Sequence, residues 1–356
     1  MNALLNKLSS LKITVSCLLL LFTLTFWGTV AQVEHGLYAA QERYFYSFFF
    51  LIHGFFPFPG GQLVLWVLAL NLASAAINHF SRLHGPAFIG RKIIHVGILI
   101  YFASAFVTFH VMTESNVDLA EGQGTNVSAS YDTWEIAFWK DKGENRQVTA
   151  YDMNRVKPGD IIQMDNIQLH VEQFYLNCEA ILKGAGETHF INADAIEALE
   201  PQDMVKERDK NIAGVVLTVG KSQVLLYGAE TLPTKVGDTY FILRHKRYPL
   251  PFTIYLKQFK VEFHPGTAVA KSYESIVEII KPGAKQEARI YMNNPLRYRD
   301  YTFYQSSYFI DPQGRKYSTL AVVKNAGHFL PYAACFVVLF GLVVHFLSAA
   351  LRRKRQ

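Results

Sequence analysis

Cysteine is scarce in this sequence: the 356 residues include only Cys17, Cys178 and Cys335. No CxxC pair occurs, which excludes a dithiol oxidoreductase, and no CxxCH occurs, which excludes covalently attached c-type heme. Two of the three cysteines lie in long apolar segments, so Cys178 has no evident partner within the chain. We therefore expect no structural disulfide.

Catalytic motifs are also absent from the sequence. It contains no GxSxG elbow, no P-loop, no HExxH and no dinucleotide fingerprint. The histidines at 170, 189, 245 and 264 follow no metal-ligand spacing, so we expect them to be surface or turn residues. The sequence predicts no catalytic residue, and whether the chain is an enzyme subunit stays open.

Charged residues are few, at 18% of the chain, whereas 50% of the residues are hydrophobic. Four segments reach the roughly 20 apolar residues that a membrane helix needs: 12–31, 61–80, 92–111 and 328–350. A net charge of +6 can indicate nucleic acid. Here the basic residues stand beside the apolar segments, so we interpret them as topology signals and expect no nucleic-acid partner.

Three groups of basic residues beside the predicted spans fall on one side. They are Lys7 and Lys12 before the first span, Arg82, Arg91 and Lys92 between the second and third, and Arg352, Arg353, Lys354 and Arg355 after the fourth. If every span crosses, this pattern puts both termini in the cytoplasm of a bacterial inner-membrane protein. A cleaved signal peptide remains an alternative for the first span, with the same orientation of the rest.

This topology divides the chain into three parts. Residues 1–112 hold three transmembrane helices, residues 113–326 form a periplasmic domain, and residues 327–356 hold the fourth helix and a basic tail. The domain is predicted to be β-rich, a sandwich or barrel, with a helix-favouring exception at 194–211. In PFTIYLKQFKVEFHPG, 251–266, the apolar alternation slips at Gln258, which predicts a β-bulge.

His95 is the candidate functional residue of the third span. It follows Lys92 by three residues, in a segment where hydrocarbon provides no partner for a polar ring. Such an imidazole can ligate the iron of a porphyrin, or it can bond a neighbouring helix carbonyl. His79 and His345 fall in the same cytoplasmic half of the predicted bundle, and for both we favour an interfacial structural role.

Five stretches carry a family resemblance, in the same order and topology. They are WGTVAQVEHGLYAAQERYFYS (27–47), FPFPGGQLVLWVLALNLASAAI (56–77), RKIIHVGILI (91–100), PFTIYLKQFKVEFHPGT (251–267) and ARIYMNNPLRYRDYTFYQSSYF (288–309). Together they resemble the ResB family of cytochrome c biogenesis proteins. The resemblance covers nearly the full chain, and the last stretch is the most specific.

The resemblance implies a subunit of a heme-export and cytochrome c synthase complex. With a ResC-type partner, also called CcsA, it would carry heme b across the membrane and present it to apocytochrome c. The third-span histidine, His95 here, is implied as an axial ligand of the heme iron. No role is implied for His79 or His345.

What the sequence lacks points to further partners. The Trp-rich heme-handling motif of the ResC-type partner is absent, so the second axial ligand and the outer attachment site are expected from another chain. A thioredoxin-like thiol reductant is also expected. The alternative is a membrane-anchored periplasmic scaffold that binds partner and apocytochrome without touching heme. For TFYQSSYFID, 302–311, a surface that docks apocytochrome and a core strand both remain open.

Overall fold

The computed structural model describes residues 2–82, 85, 88–140, 147–164, 167–182, 190, 196–267 and 269–353. They form two compact units. One unit contains the residues up to Thr113 together with those from Asn325 onward, and the other is Glu114–Lys324.

The first unit is helical. Its helices are α1 (Asn2–Leu8), α2 (Leu11–His35), α3 (Leu37–Ala40), α4 (Gly61–Arg82), α5 (Ile89–Val111) and α6 (Leu330–Arg353). Within the described part of the chain, four helical segments are long and apolar enough to cross a membrane: Leu4–His35, Gly61–Asn78, Ile89–Val111 and Leu330–Arg352. Large apolar side chains such as Phe22 and Phe336 are more than 70% exposed on them. The predicted set of four apolar helices is thus present.

The contact between α2 and α4 is partly polar. The buried amide of Asn71 donates hydrogen bonds to the carbonyls of Leu8 (2.5 Å) and Ser10 (3.1 Å), at the junction between α1 and α2. Its amide oxygen accepts a bond from the Thr14 hydroxyl at 2.7 Å.

Further along α4, the Asn78 amide donates to Asn6 and Ser9, before α2 begins, whereas Val64 near the start of α4 packs in one cluster with Leu24 of α2. The two helices therefore run antiparallel.

A short irregular segment links α3 to α4. Residues Gln41–Tyr46 form a π-helix, and the strands β1 (Phe49–Ile52) and β2 (Phe56–Pro59) pair as an antiparallel hairpin. Phe50 of this hairpin is buried with Cys17, Leu24 and Val64. The hairpin therefore shares a small core with α2 and α4.

The second unit is built of strands. Their bounds are β3 (Thr113–Ala120), β4 (Gly124–Lys140), β5 (Thr149–Asp152), β6 (Ile161–Met164), β7 (Ile167–Tyr175), β8 (Cys178–Leu182), β9 (Ile196–Pro201), β10 (Gly214–Val219), β11 (Ser222–Tyr227), β12 (Thr234–Val236), β13 (Thr239–Phe263), β14 (Ala270–Lys281), β15 (Ala284–Tyr291), β16 (Leu296–Tyr298), β17 (Tyr301–Ile310) and β18 (Lys316–Lys324). The predicted large β-rich region is present, and in sequence it lies between α5 and α6.

One large sheet organises this unit. Its strand order is β15-β14-β13-β4-β3-β18-β17-β16, with β12 on β13 and β5 on β4, and a smaller sheet has the order β11-β10-β7-β6. The long strands β4 and β13 pair antiparallel along most of their length. Because they run through both halves of the large sheet, they connect two hydrophobic cores.

The two cores have different walls. The first packs Ile136 and Phe241 of the large sheet against the small sheet, including Leu217. The second lies within the large sheet, which folds back so that β14 faces β17 and β18. There the buried Ser275 hydroxyl bonds Gln305 at 2.6 Å and Ser318 at 2.7 Å.

Two local predictions have different outcomes. The predicted bulge is confirmed, because the β13–β14 register shifts between Leu256 and Gln258. The predicted helical preference of 194–211 is wrong: residues 194 and 195 lie outside the described residues, 196–201 form β9, and only Arg208–Lys210 make a short 3-10 turn. Ile196 and Leu199 are buried against Cys178, so pairing with β8 overrides local propensity.

Candidate functional site

The ring of His95 is held by its own helix. Its Nδ1 lies 2.8 Å from the carbonyl oxygen of Arg91, one turn earlier in α5. A carbonyl can only accept, so Nδ1 donates this hydrogen bond, and in this tautomer the lone pair belongs to Nε2. Metal-binding histidines commonly fix one ring nitrogen on a carbonyl in this way. The imidazole is half-buried, and Nε2 is the nitrogen with which it could ligate a metal.

The opposite face of α5 is a seam of glycines packed against α6. A Cβ on Gly90 would lie 2.5 Å from the backbone nitrogen of His345, and one on Gly97 would lie 2.6 Å from Val338. A Cβ on Gly341 of α6 would lie 2.8 Å from Ile94. His95 is two residues from Gly97, about 200° around the helix. The seam therefore turns His95 away from α6.

The face of α5 that carries His95 is the one that contacts α4. The Lys92 ammonium donates to the Phe80 carbonyl at 3.3 Å, and the rings of Phe106 and Trp66 meet edge to face at 5.5 Å. Lys92 and Phe106 both lie within about 60° of His95 around the helix. Contact with α4 is thus made by long side chains, in contrast to the glycine seam on α6.

A cation accompanies the imidazole on this face. Arg91 stands one turn before His95, and its guanidinium lies 4.7 Å from the ring centre of Phe88. Within the described residues, the buried Nε of Arg91 has no hydrogen-bond partner. An unsatisfied buried donor favours an anionic acceptor. The site therefore combines a ligand nitrogen, a cation and apolar surface.

The structure does not bring the predicted histidines together. His345 packs its backbone against Gly90, on the seam side of α5, whereas His95 points to the other side. The helix itself, about 10 Å across, separates them, so they cannot bind one iron from opposite faces. His345 Nδ1 is buried without a hydrogen-bond partner in the described part of the chain. The side chain of His79 lies outside the described residues.

His110 is a residue that the sequence analysis did not single out. It lies at the other end of α5, and its Nδ1 contacts the Phe106 carbonyl at 2.9 Å, the same arrangement that holds His95. The sequence does contain a signal for His110. It follows His95 by fifteen residues, and this spacing in a helix places the two side chains within about 60° of each other.

An open groove lies near the C-terminal end of α2. It has a volume of about 300 Å³, and its apolar walls include Trp27, Tyr44 and Phe50. Arg43 of the π-helix lines it and donates to the Leu51 carbonyl at 3.0 Å. His35 also lines it and is exposed.

Among the β-unit histidines, His245 departs from the predicted surface or turn role. It stacks on the buried Trp134, with ring centres 4.1 Å apart, and burial lowers the pKa of its imidazole. His170 is exposed on β7, His264 is exposed just after β13, and residue 189 lies outside the described residues. Among the described residues, no group of three or more His, Cys, Asp or Glu side chains could hold a metal ion.

The strand β17, which contains most of 302–311, divides into two halves. Tyr301 and Phe303 are buried in the second core. Tyr304, Phe309 and Ile310 are 43–50% exposed. One half of the segment is therefore a core strand, and the other half presents an apolar surface.

Comparison with known proteins finds a family to which part of the β-unit is similar. The ResB-like family matches residues 231–315, which include β12 through β17. The predicted resemblance to the ResB family is confirmed. The match contains the stretches 251–267 and 288–309 and does not include α5.

A longer similarity extends to a particular protein. The chain is 24% identical over 317 residues to Protein NrfI of Wolinella succinogenes. The aligned region covers 82% of this chain but only 30% of NrfI. The chain thus spans less than a third of the length of that relative.

Proposed function

We propose that this chain is a membrane subunit for cytochrome c biogenesis that carries heme across the bacterial inner membrane and presents it to apocytochrome c. The observation that carries the proposal is the His95 ring, with Nδ1 on the Arg91 carbonyl and the lone pair on Nε2. The ResB-like match and the similarity to NrfI support the biogenesis context.

Each part of the His95 face fits heme as cargo. Nε2 of His95 would ligate the iron on one side of the porphyrin. The Arg91 guanidinium, with its unsatisfied Nε, would bind a propionate through a charge-assisted hydrogen bond. Apolar side chains further along the same face would contact the porphyrin plane.

The second axial ligand would come from another chain. His345 lies across α5 from His95, so it is unsuited to complete the same iron site. A ResC/CcsA-type membrane partner facing the α4–α5 side would bring the missing ligand. A separate thioredoxin-like reductant would keep the apocytochrome thiols reduced, since this chain has no CxxC pair of its own.

The helix packing supports the proposed topology. Within the helical unit α4 and α5 run antiparallel, as do α5 and α6, because Lys92 meets Phe80 and Gly90 meets His345. This arrangement puts Lys92 and Arg352 at one end of the unit, the proposed cytoplasmic end. Reporter fusions after Met112 and after Gln356 should report opposite sides of the membrane. Reporters on the same side would contradict the four-span topology.

His95→Ala tests the ligand directly. We expect the purified variant complex to keep normal membrane abundance, to lose heme and its Soret absorption, and to mature cytochrome c poorly. Added imidazole should enter the vacated space and restore part of the heme content. Val96→Ala is the matched control, because Val96 is exposed, lies next to His95 but about 100° around the helix, and offers no ligand atom.

The outcomes separate the two candidate functions. Unchanged heme content in His95→Ala would favour the scaffold, in which the chain binds partner and apocytochrome without touching heme. Collapse of protein abundance, without imidazole rescue, would make His95 a structural residue. Heme loss in Val96→Ala equal to that in His95→Ala would contradict a specific ligand role.

Docking of apocytochrome is assigned to the exposed half of β17. Ser306 and Ser307 are exposed where the β17–β18 register shifts, next to the apolar surface of Phe309 and Ile310. An unfolded client segment would contact this surface or add to a sheet edge. Photocrosslinkers at Ser306 or Ser307 should capture apocytochrome c. Absence of capture in an otherwise active complex would contradict docking there.

A further inference from the structure

The groove near the C-terminal end of α2 changes character along its length. Six residues of α2 line it, and their spacing of one, three or four positions places them on one face of the helix. They are Phe26, Trp27, Val30, Ala31, Glu34 and His35. The first four are apolar, and the last two are charged or polar. The groove therefore passes from an apolar part to a charged end within about 13 Å of helix axis.

The opposite wall of the groove carries a cation in a fixed position. The π-helix packs against α2 at Gly28, where an added Cβ would lie 2.8 Å from the Phe45 ring. In this π-helix the Arg43 guanidinium lies 5.6 Å from the ring centre of Tyr44 and donates to the Leu51 carbonyl at 3.0 Å. A guanidinium has five N–H groups, and Arg43 is exposed, so the others are accessible to a ligand.

Two opposite charges line the groove without neutralising each other. In the part of the chain that the structure describes, no ion pair joins Arg43 to Glu34, although both residues line the groove. The Glu34 carboxylate lies 4.0 Å from the His35 ring, and the Glu34 side chain is 77% exposed. A ligand that carries one negative and one positive group would therefore find a partner for each.

In the proposed topology the groove lies at the level of the outer lipid headgroups. With 25 residues, α2 is about 37 Å long, whereas the hydrocarbon core is about 30 Å thick. The last turns of α2 therefore extend past the hydrocarbon, and Trp27 lies near the boundary, where tryptophan is enriched. Phe26 and Val30 are 60% and 54% exposed. Apolar surface thus continues from the groove toward the acyl chains.

We propose that this groove binds one phospholipid of the outer leaflet whose zwitterionic headgroup ends in a primary ammonium, the chemistry of phosphatidylethanolamine. Arg43 would bind the phosphate through charge-assisted hydrogen bonds, and Glu34 would accept hydrogen bonds from the ammonium. Phe26 and Val30 would contact the acyl chains. The site goes beyond the proposed function, because heme takes no part in it, and it uses only the proposed membrane placement of α2.

The carboxylate of Glu34 would select among phospholipids. An anionic headgroup such as that of phosphatidylglycerol has a phosphate for Arg43 but no cation for Glu34. The quaternary ammonium of phosphatidylcholine carries a positive charge but no N–H group that could donate to a carboxylate. Arg43 should therefore contribute to binding of all three lipids, whereas Glu34 should favour the primary ammonium.

Native mass spectrometry of the delipidated full-length chain in detergent tests the inference, with one of the three lipids added at a time. The wild type should retain one phosphatidylethanolamine per chain and roughly tenfold less of the other two lipids. Arg43→Gln should lower phosphatidylethanolamine binding roughly tenfold, because it removes hydrogen bonds to a charged group. Glu34→Lys should change the preference to phosphatidylglycerol.

The matched control is Arg352→Gln. Arg352 also donates to one backbone carbonyl, that of Ser348 at 3.1 Å, but it lies at the other end of the helical unit. Its substitution should leave lipid binding unchanged. Val30→Trp would fill the groove without removing either charge, so it should lower binding of all three lipids. This variant tests the site independently of how Arg43→Gln folds.

Several results would overturn the site. Equal retention of the three lipids by the wild type would indicate only the lipid that surrounds any membrane helix. Wild-type binding in Arg43→Gln or in Val30→Trp would exclude the groove, and equal losses in Arg43→Gln and Arg352→Gln would exclude a specific role of Arg43. A preserved preference for phosphatidylethanolamine in Glu34→Lys would contradict the selection by Glu34. None of these measurements depends on heme binding, so their failure is distinguishable from failure of the proposed function.

Discussion

The glycine seam between α5 and α6 allows a quantitative prediction. An added Cβ on Gly90 would lie 2.5 Å from the backbone nitrogen of His345 and 2.6 Å from its Cα, whereas ordinary contacts begin at 3.4 Å. The obstructing atoms are backbone, so the helices must separate by about 1 Å to accept Gly90→Ala. Overpacking of this kind costs about 1–3 kcal/mol.

A second effect has the opposite sign. Alanine favours a helix by about 1 kcal/mol over glycine, so a site with free space would be stabilised by Gly90→Ala. The net expectation at the seam is a loss of roughly 0–2 kcal/mol. The same separation of the helices would move His95, so heme content should fall as well.

Thermal unfolding of the full-length protein in detergent measures this effect. Gly90→Ala should melt at lower temperature than the wild type, and its heme content should decrease. Val96→Ala on the more exposed part of α5 is the matched control and should change both quantities little. A Gly90→Ala protein more stable than the wild type would refute the close packing of α5 on α6.

Other expectations concern single buried groups. Burial raises the pKa of the Cys178 thiol to about 11 from the ordinary 9.0, which leaves roughly 100-fold less thiolate at pH 8. Cys178 should therefore resist maleimide until the protein unfolds, as mass spectrometry of labelled peptides would reveal. Burial lowers the pKa of His245, so the unfolded chain binds more protons below about pH 6.5 and stability falls there. His245→Phe keeps a ring stacked on Trp134 and should reduce this loss of stability at acid pH. Hydrogen exchange measures the stability. Asn71→Leu removes the bonds between α4 and the start of α2 and should lower the melting temperature, at a cost of about 1 kcal/mol.

Local chemistry explains why the helices could be predicted. A run of about 20 apolar residues is needed to cross a membrane, and this requirement is readable without knowing any contact. The ring arrangement of His95 is local too, because its acceptor is the carbonyl four residues earlier in the same helix. His110 follows the same rule, so its role as a candidate was within reach of the sequence.

Contacts between distant segments account for what sequence reasoning missed. Residues 196–201 became a strand because β8 supplied hydrogen-bond partners and a buried surface for Ile196 and Leu199. His245 is partly buried because its ring stacks on Trp134, which lies more than a hundred residues earlier in the chain. No local propensity encodes such partners.

The relation among the membrane histidines was decided in the same way. The sequence by itself determined that His95 and His345 belong to apolar helices near basic residues, because hydropathy and charge are properties of each segment alone. Which way each ring faces depends on how the helices rotate when they pack. Close approach of α5 and α6 depends on three residues without a side chain, Gly90, Gly97 and Gly341. This packing places His95 on the far side of α5 from α6.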